Sequence, residues 1–170
     1  MKRVFLALAL LGLLCSSAFA TEAIKEGRGK LSVSGSASFQ RNDVEIDTLI
    51  LATEVGYFVV DDLEVAVKAM GMMAEADGTD MTMMSGLLSM KYHVETESPM
   101  IPYVGPQVAL VYVDYGIDDD TSFGWGGFAG VDFFVTENVS LFVEYNLLLA
   151  EVVGQDYMQH ALNFGMSLFW

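Results

Sequence analysis

Residues 161–170 read "ALNFGMSLFW", and every second residue of this stretch is large and apolar. These positions are Leu162, Phe164, Met166, Leu168 and Trp170. Side chains two residues apart lie on the same face of a β-strand, so the stretch predicts a strand with one apolar face. The fold therefore depends on what that face contacts.

Seven earlier segments show the same alternation, and turn-forming sequences separate them. With the closing stretch they predict eight strands, at residues 29–40, 47–59, 63–73, 81–94, 101–113, 122–135, 139–150 and 157–170. The segments "GYFVVDDLEVAVK" (56–68) and "DFFVTENVSLFVE" (132–144) also match in apolar pattern and turn chemistry. An even number of such strands predicts an all-β, eight-stranded antiparallel up-and-down barrel.

The first residues have the features of an export signal. Two basic residues precede an apolar run at residues 4–14, and Ala-Phe-Ala at residues 18–20 is typical of a signal-peptidase site. We predict a cleaved signal peptide at residues 1–20, a short N-terminal segment at 21–28 and the barrel domain at 29–170.

The composition is both acidic and apolar. A formal net charge of -15 disfavours nucleic acid as a partner, because phosphate binding needs basic side chains. Yet 53% of the residues are hydrophobic, so the two properties must be segregated along the chain. The one cysteine, Cys15, lies in the predicted signal peptide, which leaves the mature chain no disulfide or thiolate site. We expect no cofactor.

The connections between the predicted strands are of two kinds. Three are short turns, at residues 60–62, 95–100 and 136–138. The other four segments hold twelve of the 23 acidic residues: Asp43, Glu45, Asp47, Glu75, Asp77, Asp80, Asp114, Asp118, Asp119, Asp120, Glu151 and Asp156. The two kinds alternate along the chain, so four acidic loops should lie at one end of the barrel.

Alternation alone does not say whether the apolar face points inward, as in a soluble lipid-binding barrel, or outward, as in an outer-membrane barrel. The interior of an eight-stranded barrel has little room, and the small Ser and Gly residues lie on the polar face. Aromatic residues on the apolar face also fall near the short-turn end, where an interfacial aromatic girdle would lie: Tyr57, Tyr92, Phe133 and Trp170. Both features favour an apolar face that contacts lipid.

The last strand resembles the signal by which the barrel-assembly machinery recognises outer-membrane barrels, with Phe164, Met166, Leu168 and Trp170 as its apolar positions. The segments "VGYFVVDDLEV" (55–65) and "VDFFVTENVSLFVEY" (131–145) likewise resemble the small OmpA-like and OmpW-like outer-membrane barrels. This resemblance implies a multi-pass barrel in the bacterial outer membrane with both termini in the periplasm. Its partners would be outer-membrane lipid, lipopolysaccharide and, during biogenesis, the assembly machinery; we expect a monomer.

Charged residues on the inward face form the main candidate site. If Val59 pairs with Leu63 across the turn, antiparallel register places Glu54 opposite Lys68. Six ionisable residues should approach one another at similar depth, with the last two slightly nearer the short turns: Glu54, Lys68, Lys91, Glu144, His93 and Asp132. Buried charges persist when they are paired, so these residues predict an ion-pair network that plugs the lumen. A gate or a proton-linked site is the functional alternative.

Enzymatic activity is not expected. Some eight-stranded outer-membrane barrels deacylate lipid A with a His and a Ser close together near the chain end, but here His160 is followed by Ala161 and Leu162. His93 and Ser89 share a face, yet they lie about 13 Å apart along the strand, too far for direct proton transfer.

Metal binding has two candidate sites. The segment "DYGIDDDT" (114–121) lacks the ligand spacing of an EF-hand, so Asp118, Asp119 and Asp120 form either a solvated rim or a weak Ca²⁺ or Mg²⁺ site that bridges to lipopolysaccharide. Six methionines flank another acidic segment on both faces of two strands, which indicates packing rather than a copper site: Met70, Met72, Met73, Met81, Met83 and Met84.

Three functions are compatible with these features. The first is an integral outer-membrane barrel with a largely plugged lumen and a structural or surface-interaction role in the cell envelope. The second is a narrow channel for small hydrophobic or amphiphilic solutes, as the OmpW-like resemblance implies. The third is a soluble secreted barrel that binds lipid.

Overall fold

The computed structural model describes residues 20–41, 45–76, 79–114, 119–152 and 155–170, and side chains within 22–36, 48–73, 82–112, 121–151 and 158–170. The chain forms one short helix, α1 (Ala20–Ala23), followed by eight strands. These are β1 (Gly29–Arg41), β2 (Glu45–Val60), β3 (Leu63–Ala76), β4 (Thr79–His93), β5 (Met100–Asp114), β6 (Asp119–Thr136), β7 (Val139–Val152) and β8 (Gln155–Phe169). Each strand pairs antiparallel with the next, and β8 pairs with β1 to close the barrel. The predicted fold is confirmed.

No helix in the described part of the chain is long and apolar enough to cross a membrane.

The strands extend further into the acidic segments than the sequence predicts. The expected loops are largely strand ends, since only residues 42–44, 77–78, 115–118 and 153–154 lie between the strands concerned. For example, Glu75 pairs with Asp80 and Asp114 with Asp119. Backbone pairing satisfies N–H and C=O groups whatever the side chain, so acidic residues did not end the ladders.

The turn between β2 and β3 differs in detail from the prediction. It has two residues, Asp61 and Asp62, and Leu63 pairs with Val60 rather than with Val59. Asp62 has a φ of 67°, a left-handed conformation that Asp tolerates better than most residues. A register shift between Phe58 and Val60 absorbs the change, so the predicted pairing of Glu54 with Lys68 is confirmed.

The apolar face of the barrel wall points outward. Trp125 on β6 and Leu51 on β2 are each 60% exposed, and large apolar residues of every strand share this orientation: Val33, Val55, Val67, Leu88, Leu110, Leu141 and Leu168 among others. A soluble lipid-binding barrel would place these residues inside. The structure therefore rules out the third candidate function and agrees with a wall that faces lipid.

Alternation between apolar and polar residues suggests an inward face that is polar throughout. The structure instead places two apolar clusters on this face. An upper apolar cluster lies in the half of the lumen nearer the acidic end: Ile50, Ala52, Met70, Met72, Met83, Leu87, Ala109, Val111, Leu148 and Ala161. A lower apolar cluster lies at the short-turn mouth: Ala23, Ile24, Phe58, Ile101, Phe134 and Phe169. In so narrow a lumen, side chains from all strands exclude water from one another, so apolar residues are favoured there too.

The seam that closes the barrel is short. Among the described residues, the β1 and β8 ladder has six pairs, from Lys30 with Phe169 to Gly35 with Phe164, whereas the β7 and β8 ladder has 14. Both strands continue beyond these pairs towards the acidic end, to Arg41 and Gln155. The other seams therefore pair over more of their length.

Candidate functional site

Four charged residues form a closed ring of ion pairs inside the barrel, which we call the upper ring: Glu54 on β2, Lys68 on β3, Lys91 on β4 and Glu144 on β7. Lys68 Nζ lies 2.6 Å from Glu144 Oε1 and 3.4 Å from Glu54 Oε2. Lys91 Nζ lies 2.5 Å from Glu54 Oε1 and 3.5 Å from Glu144 Oε2. Each lysine thus contacts both glutamates, and all four side chains are buried.

A second group of charges, the lower cluster, lies closer to the short turns: Lys30 on β1, Glu64 on β3, His93 on β4 and Asp132 on β6. Lys30 Nζ lies 3.1 Å from Asp132 Oδ2 and 3.5 Å from Glu64 Oε2. His93 Nε2 lies 2.9 Å from Glu64 Oε2, and the hydroxyl of Ser140 donates to Asp132 Oδ1 at 2.6 Å.

The six predicted residues are therefore divided between two layers. His93 and Asp132 contact Lys30 and Glu64, which sequence reasoning missed, instead of the other four predicted residues. The signal for the missed pair was present in the alternation. Lys30 shares the inward parity of Ser32 and Ser34, and Glu64 shares that of Lys68.

An aromatic layer connects the two groups of charges. Lys91 Nζ lies 5.2 Å from the centre of the Tyr103 ring, and Lys30 Nζ lies 5.3 Å from the same ring. Lys91 also lies 5.4 Å from the ring of Phe128. Ammonium groups are attracted to aromatic faces at these distances. The two rings therefore stabilise the charged lysines and also occupy space in the lumen.

Glycines make room for these large side chains. A Cβ atom on Gly130 would overlap the Tyr103 ring, and a Cβ atom on Gly56 would overlap the Glu64 carboxylate. In the sequence repeat, Gly130 corresponds to Glu54, and Gly56 corresponds to Asp132. At these positions, one half of the chain has a large charged residue where the other half has glycine. The side chains of both halves therefore fit into one narrow lumen.

The chemistry of this site is that of a buried network of ion pairs. The two layers together contain three lysines and four carboxylates, all within reach of an opposite charge. Buried charges arranged in this way stabilise one another, because each lysine lies between two carboxylates.

The predicted aromatic girdle lies on the outer wall near the short turns. Tyr57, Tyr92 and Trp170 are 54%, 55% and 59% exposed, and Phe133 is partly exposed on the same side. Phe164, Met166 and Leu168 of β8 also point outward. Their roles at the membrane interface and in assembly stay predictions.

The residues weighed for catalysis have other partners. His160 lies on the outer wall, with Nδ1 2.5 Å from the hydroxyl oxygen of Tyr145. The hydroxyl of Ser89 donates to the carbonyl of Ala66, whereas His93 contacts Glu64.

The candidate metal ligands are only partly visible. Asp118 and the side chains of Asp119 and Asp120 lie outside the described part of the chain. Among the residues that the structure describes, no group of three or more His, Cys, Asp or Glu is arranged to hold a metal ion. Met70, Met72 and Met83 point inward, whereas Met73 and Met84 point outward, as packing residues would.

Comparison with known proteins adds a family to this geometry. The family model described as outer membrane protein beta-barrel domain matches residues 6–168. No curated protein sequence matches.

Several solved structures share the fold. Neisserial surface protein A (NspA) is 27% identical with a TM-score of 0.66, over 83% of this chain and 95% of that one. OprG from Pseudomonas aeruginosa is 15% identical with a TM-score of 0.55, over 86% of this chain and 97% of that one. The N-terminal β-barrel domain of OprF from Pseudomonas aeruginosa is 18% identical with a TM-score of 0.54, over 85% and 98%. The chain therefore belongs to the outer membrane protein beta-barrel domain family, and its location is the bacterial outer membrane.

Proposed function

We propose that this protein is a monomeric, non-conducting barrel that supports the cell envelope through its outer wall and surface, without enzymatic activity or a cofactor. The observation that carries this proposal is the upper ring, whose ion pairs cross the lumen.

The ring connects opposite walls of the barrel. Lys68 lies on β3 and Glu144 on β7, four strands apart in a barrel of eight. Their ion pair therefore reaches across the lumen, and Lys91 and Glu54 occupy the space beside it. Removing one partner of a buried ion pair costs about 3–5 kcal/mol, so a solute would meet a substantial barrier here.

The arrangement of the ends supports a surface role. The short turns and both termini would lie in the periplasm, and the acidic strand ends would lie outside, close to the phosphate groups of lipopolysaccharide. Divalent cations would bridge these two sets of negative charges. The name of Neisserial surface protein A describes that similar barrel as a surface protein.

A deletion strain tests the envelope role. We expect loss of the protein to increase sensitivity to detergent, and both the unaltered protein and the Lys68→Met/Glu144→Leu variant to restore resistance, because both keep the lumen filled. The variant Trp125→Asp, which places a charge on the lipid-facing wall, is the negative control and should not restore resistance. Unchanged detergent sensitivity in the deletion strain would contradict the proposal.

A narrow path for small hydrophobic solutes is the second candidate. The upper apolar cluster lines the outer half of the lumen, and the described part of the β1 and β8 ladder ends at Gly35 and Phe164. A solute that entered from outside could leave sideways between these strands, above the upper ring.

Uptake measurements separate the two candidates. In the variant Ser36→Cys/Asn163→Cys, a disulfide at the next positions of the seam would hold β1 against β8. If the solute path exists, uptake should stop when this disulfide forms and return when the disulfide is reduced. The proposed closed barrel requires uptake no greater than in the deletion strain, with or without the disulfide.

A further inference from the structure

The residues that precede β1 lie across the short-turn mouth of the barrel. We call residues 22–28 the N-terminal plug. Ala23 and Ile24 are fully buried, although they lie outside the barrel wall in sequence. They complete the lower apolar cluster with Phe58, Ile101, Phe134 and Phe169.

Backbone hydrogen bonds fix the N-terminal plug to one side of the mouth. The N–H of Asp62 donates to the carbonyl of Ile24 at 3.0 Å, and the N–H of Gly27 donates to the carbonyl of Phe58 at 2.9 Å. Gly27 has a φ of 86°, a conformation that favours glycine, so the chain can bend here before it enters β1.

Side chains add contacts to the same turn and to the opposite one. The N–H of Glu26 donates to Asp61 Oδ1 at 2.9 Å, and Lys25 Nζ lies 3.5 Å from Asp61 Oδ2. Arg28 Nη2 donates to Asn138 Oδ1 at 2.7 Å, in the turn between β6 and β7. The N-terminal plug therefore spans the mouth between two turns that correspond to each other in the sequence repeat.

Electrostatics at this turn agree with a seated plug. The Glu26 N–H, followed by the Lys25 ammonium, holds the pKa of the exposed Asp61 carboxyl below its ordinary value. A lowered pKa means that the ionised form favours the closed position. This contribution is present at neutral pH and is lost as the pH falls through the lowered pKa.

We propose that the N-terminal plug seals the periplasmic mouth of the barrel and shields the lower apolar cluster and the lower cluster of charges from water. Access from this side then requires displacement of residues 22–28. The seal is separate from the upper ring, which lies deeper in the lumen. Displacing the plug would therefore expose Ile101 without making the barrel conduct.

A single-cysteine probe tests the seal. The protein is expressed from its full sequence with Cys15→Ser and Ile101→Cys, purified in detergent and treated with a charged methanethiosulfonate reagent. We expect the thiol to react slowly. Ile24→Glu should raise the rate by about tenfold or more, because a carboxylate is unfavourable in the apolar cluster and local opening becomes frequent.

A milder variant keeps the test valid if Ile24→Glu does not fold, as judged by heat-modifiable mobility. Asp61→Ala removes two contacts from an exposed residue and should raise the rate several-fold. Glu137→Ala, an exposed acidic residue in the corresponding turn, is the matched control and should leave the rate unchanged. Rapid reaction in the parent, or equal rates in the parent and in each folded plug variant, would overturn the proposal.

Discussion

Lys68 and Glu144 are corresponding residues of the sequence repeat, 76 positions apart, and their side chains meet inside the barrel at 2.6 Å. Replacing a buried ion pair by apolar groups is often neutral, whereas removing one member leaves the other unpaired. In the upper ring, loss of both residues would still leave Lys91 paired with Glu54. The contribution of the upper ring to the free energy of unfolding can therefore be measured at the pair of Lys68 and Glu144.

A double-mutant cycle provides that measurement. We expect Lys68→Met and Glu144→Leu each to lower the free energy of unfolding by about 3 kcal/mol, and the double variant to lose less than the sum by at least about 1 kcal/mol. Urea unfolding in lipid vesicles, followed by tryptophan fluorescence, gives these values. Additive losses would show that the two side chains do not interact.

Two glycines on opposite faces of the wall provide a second prediction. Gly130→Ala would place a methyl group against the Tyr103 ring and the Val143 carbonyl, and overpacking of this kind costs about 1–3 kcal/mol. Gly86 faces outward, and a Cβ atom there would have nothing within 4 Å, so Gly86→Ala should change stability by less than about 0.5 kcal/mol. The same unfolding measurement compares the two, and equal effects would contradict the inward placement of Gly130.

At the residue scale, sequence alternation identified which charges point inward but not which of them touch. Glu54 and Lys68 were predictable because neighbouring strands fix their register. Contacts between β3 and β7 depend on how far each strand is staggered around the closed barrel, and no local pattern carries that information. Lys30 and Glu64 follow the same alternation, yet they fall outside the predicted set because they lie nearer the short turns.

At the element scale, β8 brings Trp170 next to Gly29, the first residue of β1. The N–H of Trp170 donates to the carbonyl of Gly29 at 3.1 Å, and the N–H of Gly29 donates to the carbonyl of Trp170 at 3.0 Å. The indole covers Gly29 so closely that a Cβ atom there would overlap the ring. Trp170 therefore fixes the lower end of a seam with six ladder pairs in the described part of the chain.

The two tryptophans of the chain allow a matched test of this role. We expect Trp170→Ala to reduce the amount of folded protein in the outer membrane, and Trp170→Phe to restore it, because the strand would again end in a large aromatic residue. Trp125 has a similar exposure but lies on β6, so Trp125→Ala should have little effect. Membrane fractionation with a gel-mobility assay measures both, and equal losses would argue against a special role for Trp170.

Most strands could be predicted from the alternation of apolar and polar residues, which is strong because one face of each strand contacts a uniform environment. Their acidic ends could not, because charge alone does not terminate a ladder, as the pair of Glu151 and Asp156 shows. Inward apolar residues such as Leu87 and Leu148 also escaped prediction, since their partners come from distant strands.

At the scale of the whole molecule, the barrel is stratified along its axis. The N-terminal plug and the lower apolar cluster are followed by the lower cluster of charges, the aromatic layer, the upper ring and the upper apolar cluster. Around the lumen the wall is apolar. The acidic strand ends, with the residues between them, hold twelve of the 23 acidic residues. Closure pairs the backbone along the wall, as hydrocarbon requires.

The acidic end leads to a prediction about cations. Backbone register pairs acidic residues with each other at Glu75 with Asp80, Asp114 with Asp119 and Glu151 with Asp156. Like charges at directly opposite positions of a ladder are unfavourable in the absence of counterions. We expect Ca²⁺ to bind with a dissociation constant of about 1 mM, within the range of weak extracellular sites. Calorimetric titration measures this, with Asp114→Asn/Asp119→Asn as the weakened variant; no heat at millimolar Ca²⁺ would leave only a solvated rim.

Single-barrel recordings in a planar lipid bilayer test the closed lumen most directly. We expect the refolded protein to give no conductance steps above those of the bare bilayer at either polarity, because the upper ring and the apolar clusters fill the lumen. Heat-modifiable mobility of the same refolded sample, with tryptophan fluorescence of the membrane-bound protein, shows that barrels giving no steps are folded and inserted. Reproducible steps from the unaltered protein would contradict a closed lumen.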